Sequence, residues 1–437
     1  MSPLAAGILI CLTTVVVLAT GIPVAFGLAI VAMAFLVMFE GFGSLSFMGE
    51  LFFSGLADFT LVSIPMFIAM GAAVASSPAG GDLYGALERW LNRIPGGLAV
   101  SNIGACSIFA ALSGSSPATC AAIGRMGIPE MRKRGYPDEL ATGAIAAGGT
   151  LGILIPPSVT MIVYGISTGT SIGRLFIAGV LPGIMLTLMF IAWSVYSASR
   201  SAGSILKLSG RFTLREKLAH LPRILPFFLL VLGILYVLYG GVATPSEAAG
   251  VGAMLCFVLI AVIYRIWQPK RIWAILTSST RESVMIMMII GAAALFSYTL
   301  SSLFITQSVA EWIAGLEVSR WVLLAAINLF LLVAGFFLPP VAVIVMTAPI
   351  LLPIITQAGF DPYWFAVILT INMEIGLITP PVGLNLYVIN GIAPDVPLPR
   401  ILLGALPFAL IMVLAIVILC VFPRIATWLP DLLMGVA

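Results

Sequence analysis

The chemistry-bearing residues of this chain gather where long apolar runs are interrupted. Two runs are broken by paired prolines beside small and hydroxyl residues, with Gly149, Thr150, Pro156 and Ser158 at one break and Thr379, Pro380, Gly383 and Asn385 at the other. Two more turn on short tips, one holding Ser113, Ser115, Ser116 and Thr119, the other Gly335, Leu338 and Pro339. A helix interrupted at such points leaves carbonyls and amides without helical partners, and its ends carry partial charge. Free carbonyls beside hydroxyls suit a dehydrated hard cation such as sodium, and half-helix N-termini suit an anion. Ser116, Thr379 and Asn385 are the candidates for touching such an anion. Taken singly, each Gly or Ser is explained by close helix packing. Taken together, two tips and two breaks define a candidate site.

Glu374 is the one carboxylate well inside an apolar span. Intramembrane acids are functional by default, and two readings stay open here. Glu374 tunes a cation site or carries a proton, or it is a buried acid bonded to Asn372 or to backbone that holds the broken helix. Glu247, in Ala243–Ala249, sits at a helix start and reads as a partner of the helix dipole. His220 is the only histidine and falls in a basic stretch, where a solvated side chain is expected. Cys11, Cys106, Cys120, Cys256 and Cys420 lie in apolar stretches and read as small core hydrophobes. Neither an enzyme's catalytic groups, a transition-metal cluster nor a cofactor motif is apparent.

These residues need a membrane around them. Hydrophobic residues make up 61% of the 437 positions and charged residues 8%, against about 25% charged in a soluble domain. So much apolar surface requires lipid as solvent. The net charge of +3 is small and dispersed, which argues against nucleic acid as a partner. Expected spans are 4–20, 22–39, 60–78, 175–198, 224–240, 245–264, 282–305 and 401–422, with broken spans at 140–168 and 363–392. Because no Lys or Arg precedes Arg89, 4–20 is expected to be a retained helix, not a cleaved signal. The stretches 98–126 and 321–356 are expected to be re-entrant hairpins. Their arms of about 15 residues reach only about 22 Å, short of a hydrocarbon core of about 30 Å. Their irregular tips must therefore be buried in protein or face a cavity. The segment 82–94 places Leu83, Leu87, Trp90, Leu91 and Ile94 on one helical face, as an interfacial or ordinary loop helix would.

The interruptions recur. Pro129 and Pro353, Pro156 and Pro380, and Gly152 and Gly376 are each separated by the same 224 residues. Charge gives the relative orientation of the two halves. Arg125, Arg132, Lys133 and Arg134 follow the first hairpin, whereas only Asp361 follows the second. Glu40, Glu50 and Asp58 in one loop are matched by Arg265, Lys270, Arg271 and Arg281 in its counterpart. Glu311 and Glu317 likewise stand where the first half has Arg89 and Arg93. Paired loops of opposite bias belong on opposite faces, so the repeats are expected to be inverted. The expected fold is thus all-α and integral to the membrane, with about ten spans plus two hairpins. Its parts are a first repeat at 1–198, a basic linker at 199–223 and a second repeat at 224–437. The linker carries Arg200, Lys207, Arg211, Arg215, Lys217 and Arg223, which places it inside and both termini outside.

At these residues the chain resembles the large membrane subunit, DctM type, of tripartite ATP-independent periplasmic (TRAP) transporters. The resemblance rests on Ser63–Phe67, Ser113–Thr119, Gly152–Ser158, Ala243–Ala249 and Gly376–Asn385, and it spans nearly the whole chain. It implies a carrier of the bacterial or archaeal inner membrane, driven by sodium ions and not by ATP. It further implies a separate small membrane subunit (DctQ type) and a soluble periplasmic binding protein (DctP type) that delivers an organic anion, such as a C4-dicarboxylate or a sialic acid. The family's fold, of the ion-transporter superfamily, moves hairpins and broken helices against a scaffold in an elevator mode. Two other functions remain in play on the residues. A stand-alone sodium/dicarboxylate symporter would share the architecture, and neighbouring genes for the partner subunits would tell it apart. An anion or cation channel would usually show a row of like charge along a pore, and almost no charge lies inside these spans.

Overall fold

The computed structural model describes residues 1–94, 96–200, 212–315 and 318–435. Of the expected linker and charge pattern, Lys207, Arg211 and Glu317 fall outside them. Every regular element among the described residues is helical, as lipid requires of a chain whose backbone groups must be satisfied within each segment. Among the described residues seven helices are long and apolar enough to cross a membrane, or eight if the bent pair Phe42–Leu56 and Phe59–Ala75 is one span. The expected ten differ because they include Pro3–Ala19 and Val24–Glu40, of 17 residues each, and the two interrupted spans. They also leave out Arg320–Phe337 and Pro340–Gln357, the arms of the second hairpin, which are long and apolar enough to be counted here.

The first hairpin has arms Gly97–Ser113 and Ser116–Lys133. Gly114 closes the first arm in the left-handed region (φ 58°), and Pro117 opens the second, where its missing N–H costs nothing. The second hairpin has arms Arg320–Phe337 and Pro340–Gln357, joined through extended Leu338 and Pro339. Arms of 17 or 18 residues span about 26 Å, longer than expected. Both hairpins return to where they began. At the foot of the first, Asn102 Nδ2 lies 2.9 Å from Met131 Sδ, and the Leu98 amide meets the Tyr136 hydroxyl. At the foot of the second, the Trp321 and Phe360 rings pack edge-on with centroids 5.5 Å apart.

The broken spans are Asp138–Thr150 with Val159–Thr168, and Pro362–Leu377 with Leu384–Ile392. The Pro156–Pro157 and Pro380–Pro381 bonds within them are cis. Each break presses on the tip in its own half through a glycine. A Cβ on Gly152 would lie 2.6 Å from the Ser115 carbonyl oxygen, and one on Gly376 2.4 Å from that of Gly335. The matched glycines of the sequence thus mark two close backbone approaches. The halves also interlock: Val159–Thr168 packs on Pro340–Gln357, and Leu384–Ile392 packs on Ser116–Lys133. In the same reciprocal way, Ser63–Ala75 packs on Pro245–Tyr264 and Val24–Glu40 on Pro269–Ser302.

Charged groups cluster separately around the two hairpin feet. Near the first, Arg132 bonds Asp395 at 2.5 Å and Asp138 at 2.9 Å, and Arg134 pairs with Glu88. The bond from Arg132 holds the Asp395 carboxyl below its usual range. Glu88 belongs to Ala79–Leu91, the amphipathic helix expected at 82–94, whose Asp82 takes His220 at 2.9 Å and the Tyr264 hydroxyl at 3.1 Å. His220 is therefore not the solvated side chain expected; a buried carboxylate holds it. Near the second foot, Arg174 pairs with Asp431, donates to the Gly435 carbonyl at 2.9 Å and lies over the Tyr363 ring. Two smaller readings also change or sharpen. Cys106, Cys120 and Cys256 are buried, but Cys11 is exposed and Cys420 half-buried. Glu247 closes a capping box with Thr244.

Single cysteines at Ala219 and Leu433, both exposed, test the sidedness of these two ends. In a cysteine-free background a membrane-impermeant maleimide is expected to label Ala219→Cys from the inside only and Leu433→Cys from the outside only. The reverse pattern would overturn the expected topology.

Candidate functional site

The two halves meet at Ser116. This residue begins the return arm of the first hairpin and is completely buried. Its Oγ lies 2.7 Å from the Gly149 carbonyl oxygen and 2.8 Å from Glu374 Oε2, and it accepts from Asn385 Nδ2 at 3.3 Å. One residue from either side of the second half's break thus reaches Ser116 at the tip of the first. Glu374 sits in the last turn before its break, and the Ile153 amide of the other break also faces its carboxylate. Asn385 is set by Gly383, which takes the left-handed conformation (φ 53°) and starts the second half-helix. The predicted alternative partner of Glu374, Asn372, instead donates to Asn328 Oδ1 and O at 2.9 Å.

Oxygen outnumbers hydrogen here. A hydroxyl carries one proton, so Ser116 can donate to Gly149 or to Glu374 but not to both at once. Glu374 Oε1 and Asn385 Oδ1 are buried acceptors without a hydrogen-bond partner among the described residues. Such groups cost several kcal/mol when desolvated and unpaired (about 1–3 each), which is compensated when a cation or a protic ligand joins them.

The remaining candidates divide. Ser113 and Thr119 share a hydrogen bond of 2.7 Å, and Thr119 donates to the Ser115 carbonyl at 2.9 Å, so the first tip is a closed hydroxyl cluster. Thr150 donates to the Ala147 carbonyl, and Ser158 caps Val159–Thr168 while donating to the Ile153 carbonyl at 2.6 Å. These hydroxyls spend their protons on backbone and keep lone pairs free. Pro156 is buried in the first break, whereas Pro339 and Pro380 are exposed and Leu338 and Thr379 half-buried. Gly335 is brought against Gly376. Thr379 turns back to the Ile375 carbonyl at 2.6 Å and does not join Asn385 at Ser116. The first tip is thus shut and cross-braced, and the second is the more open. Sequence reasoning missed the Ile153 amide, which no side-chain signal marks. It also missed Gly71, whose Cβ would meet the Ser113 carbonyl oxygen at 2.4 Å. The available clue is that Gly71-Ala72-Ala73 recurs as Gly291-Ala292-Ala293 in the second half.

A helical membrane fold with paired hairpins and broken helices around a buried polar cluster is a transporter architecture. Its backbone superposes on the YdaH transporter of Alcanivorax borkumensis with a TM-score of 0.64 over 90% of each chain, at 14% identity, a likeness of fold. Residues 11–425 match the family described as tripartite ATP-independent periplasmic transporter, DctM component, and the chain belongs to that family. It is 40% identical to the C4-dicarboxylate TRAP transporter large permease protein DctM of Pseudomonas aeruginosa, over 85% of this chain and 86% of that one. It is 30% identical to the sialic acid TRAP transporter large permease protein SiaM of Vibrio cholerae, over 95% and 96%.

Proposed function

We propose that this permease imports an organic anion in symport with sodium across the inner membrane of a bacterium or archaeon. The observation that carries the reading is the excess of buried oxygen acceptors at Ser116, Gly149, Glu374 and Asn385, contributed by both halves. Several oxygens around a desolvated point are what sodium requires, and Ser116 and Asn385 add groups that can donate to a carboxylate. The halves 1–198 and 224–437 act as inverted repeats, joined by the 199–223 linker. Sodium sites are assigned to the first tip with the Pro156 break, and to the Gly335–Pro339 tip with the Thr379–Gly383 break. The hairpins and broken helices then move together as the transport unit. A DctQ-type small subunit and a DctP-type binding protein complete the carrier, and the relatives named above support a C4-dicarboxylate or a sialic acid as cargo.

The test is uptake of succinate and N-acetylneuraminate into proteoliposomes holding the permease with its small subunit, with the binding protein added. A sodium gradient is expected to drive saturable uptake, and the large subunit alone is expected to give none at micromolar substrate. Steady conductance in place of saturable uptake would favour a channel. Robust uptake by the chain alone would favour a stand-alone symporter.

A further inference from the structure

Arg125 was counted in the sequence with the basic loop after the first hairpin. The expected hairpin 98–126 has it at its very end; the return arm runs on to Lys133, so Arg125 lies well within it, nine residues past Ser116. At helical rise that is about 13 Å from the tip. Below it on the same arm, Arg132, Lys133 and Arg134 are all paired with carboxylates, whereas Arg125 has no ion pair among the described residues. It is exposed in a cavity of about 490 Å³ whose walls are Ala121, Arg125 and Pro129 on one side and Val388, Gly391 and Ile392 on the other. Arg125 is the only charged residue of that lining.

The two walls belong to the elements that meet at Ser116 and Asn385. Ala121, Arg125 and Pro129 are spaced four apart and share the face of the return arm that is turned away from Ser116. Val388 follows Asn385 by three residues on the facing half-helix. An ionisable residue within a helical arm, facing a cavity and without an ion pair among the described residues, is placed to meet a charged substrate. Arginine in particular presents a planar fork that matches a carboxylate.

We propose that Arg125 binds the carboxylate of the transported anion on the linker side of the carrier, as a station between the Ser116 cluster and the cell interior. The proposal rests on the anion-carrier reading above. The station would set affinity on the inner side without touching the cation sites.

The test uses the permease with its small subunit in oriented proteoliposomes loaded with radiolabelled succinate or N-acetylneuraminate. Arg125→Gln is expected to raise the internal concentration for half-maximal counterflow about tenfold or more, the scale of one lost charge-assisted hydrogen bond. External half-saturation and sodium dependence should stay as in wild type, and Arg125→Lys should recover part of the loss. Equal internal half-saturation in wild type and Arg125→Gln would overturn the proposal while leaving the carrier reading intact. A wild type that carries neither anion would overturn both. A difference present only in vesicles containing phosphatidylglycerol would assign Arg125 to a lipid phosphate and overturn it too. Should Arg125→Gln fail to accumulate, protection settles the point. A single cysteine at Val388, with Arg125 intact, is expected to be shielded from maleimide by internal succinate or N-acetylneuraminate, and absence of shielding by the anion carried would overturn the proposal.

Discussion

Ser116→Ala is expected to raise the sodium concentration for half-maximal uptake by about tenfold or more, because one hydroxyl there joins both halves of the molecule. Its loss removes an oxygen from the cluster and leaves Asn385 Nδ2 without its acceptor. The Gly149 carbonyl and Glu374 keep their positions, since helix packing holds them, so expression and detergent stability should stay near wild type. Thr379→Ala is the instructive contrast. That hydroxyl closes on the Ile375 carbonyl in its own helix, so a shift below about threefold is expected, the scale of one local hydrogen bond. Thr13→Ala in the first span should change nothing. Sodium-titrated uptake in the reconstituted carrier reads all three. Unchanged sodium dependence in Ser116→Ala at normal expression would reject the side chain as a ligand and leave a backbone site.

That asymmetry between two hydroxyls was not legible in the sequence. Spacing alone located both breaks and both tips, because proline and glycine act on the backbone locally. It also marked Gly152 and Gly376 as a pair, and the close approaches of those glycines explain why both halves need one there. What spacing cannot reveal is which half a side chain serves. Asn385 and Glu374 belong by sequence to the second half, yet both reach Ser116 of the first. Such a contact depends on how the halves interlock, and no local pattern records it. The same reason moved Arg125 and His220. Each was judged by the charge of its sequence neighbours, whereas a return arm that continues to Lys133 and an Asp82 on another helix decide their surroundings.

Glu374→Gln is expected to lower sodium-driven uptake by about a hundredfold or more, with the fold intact. Gln keeps the length and planarity of the side chain, so a hydrogen bond to Ser116 survives in one orientation. What changes is charge and one acceptor. The carboxylate offers Oε2 to Ser116 and leaves Oε1 free, beside an equally free Asn385 Oδ1. Replacing either oxygen by NH2 turns an acceptor facing a cation into a donor that opposes it. Removing one partner of a buried charge interaction costs about 3–5 kcal/mol, which corresponds to the expected loss of about a hundredfold or more. Glu374→Ala should abolish uptake as well, but through a cavity and a loosened Ser116, so it lowers the thermal midpoint where Glu374→Gln does not. The pair of variants separates the two readings that the sequence left open. A stable Glu374→Gln permease with lost sodium response assigns the carboxylate to coupling. Wild-type uptake and sodium dependence in Glu374→Gln would show that only its hydrogen bonds matter, and that the acid braces the broken helix against the first hairpin.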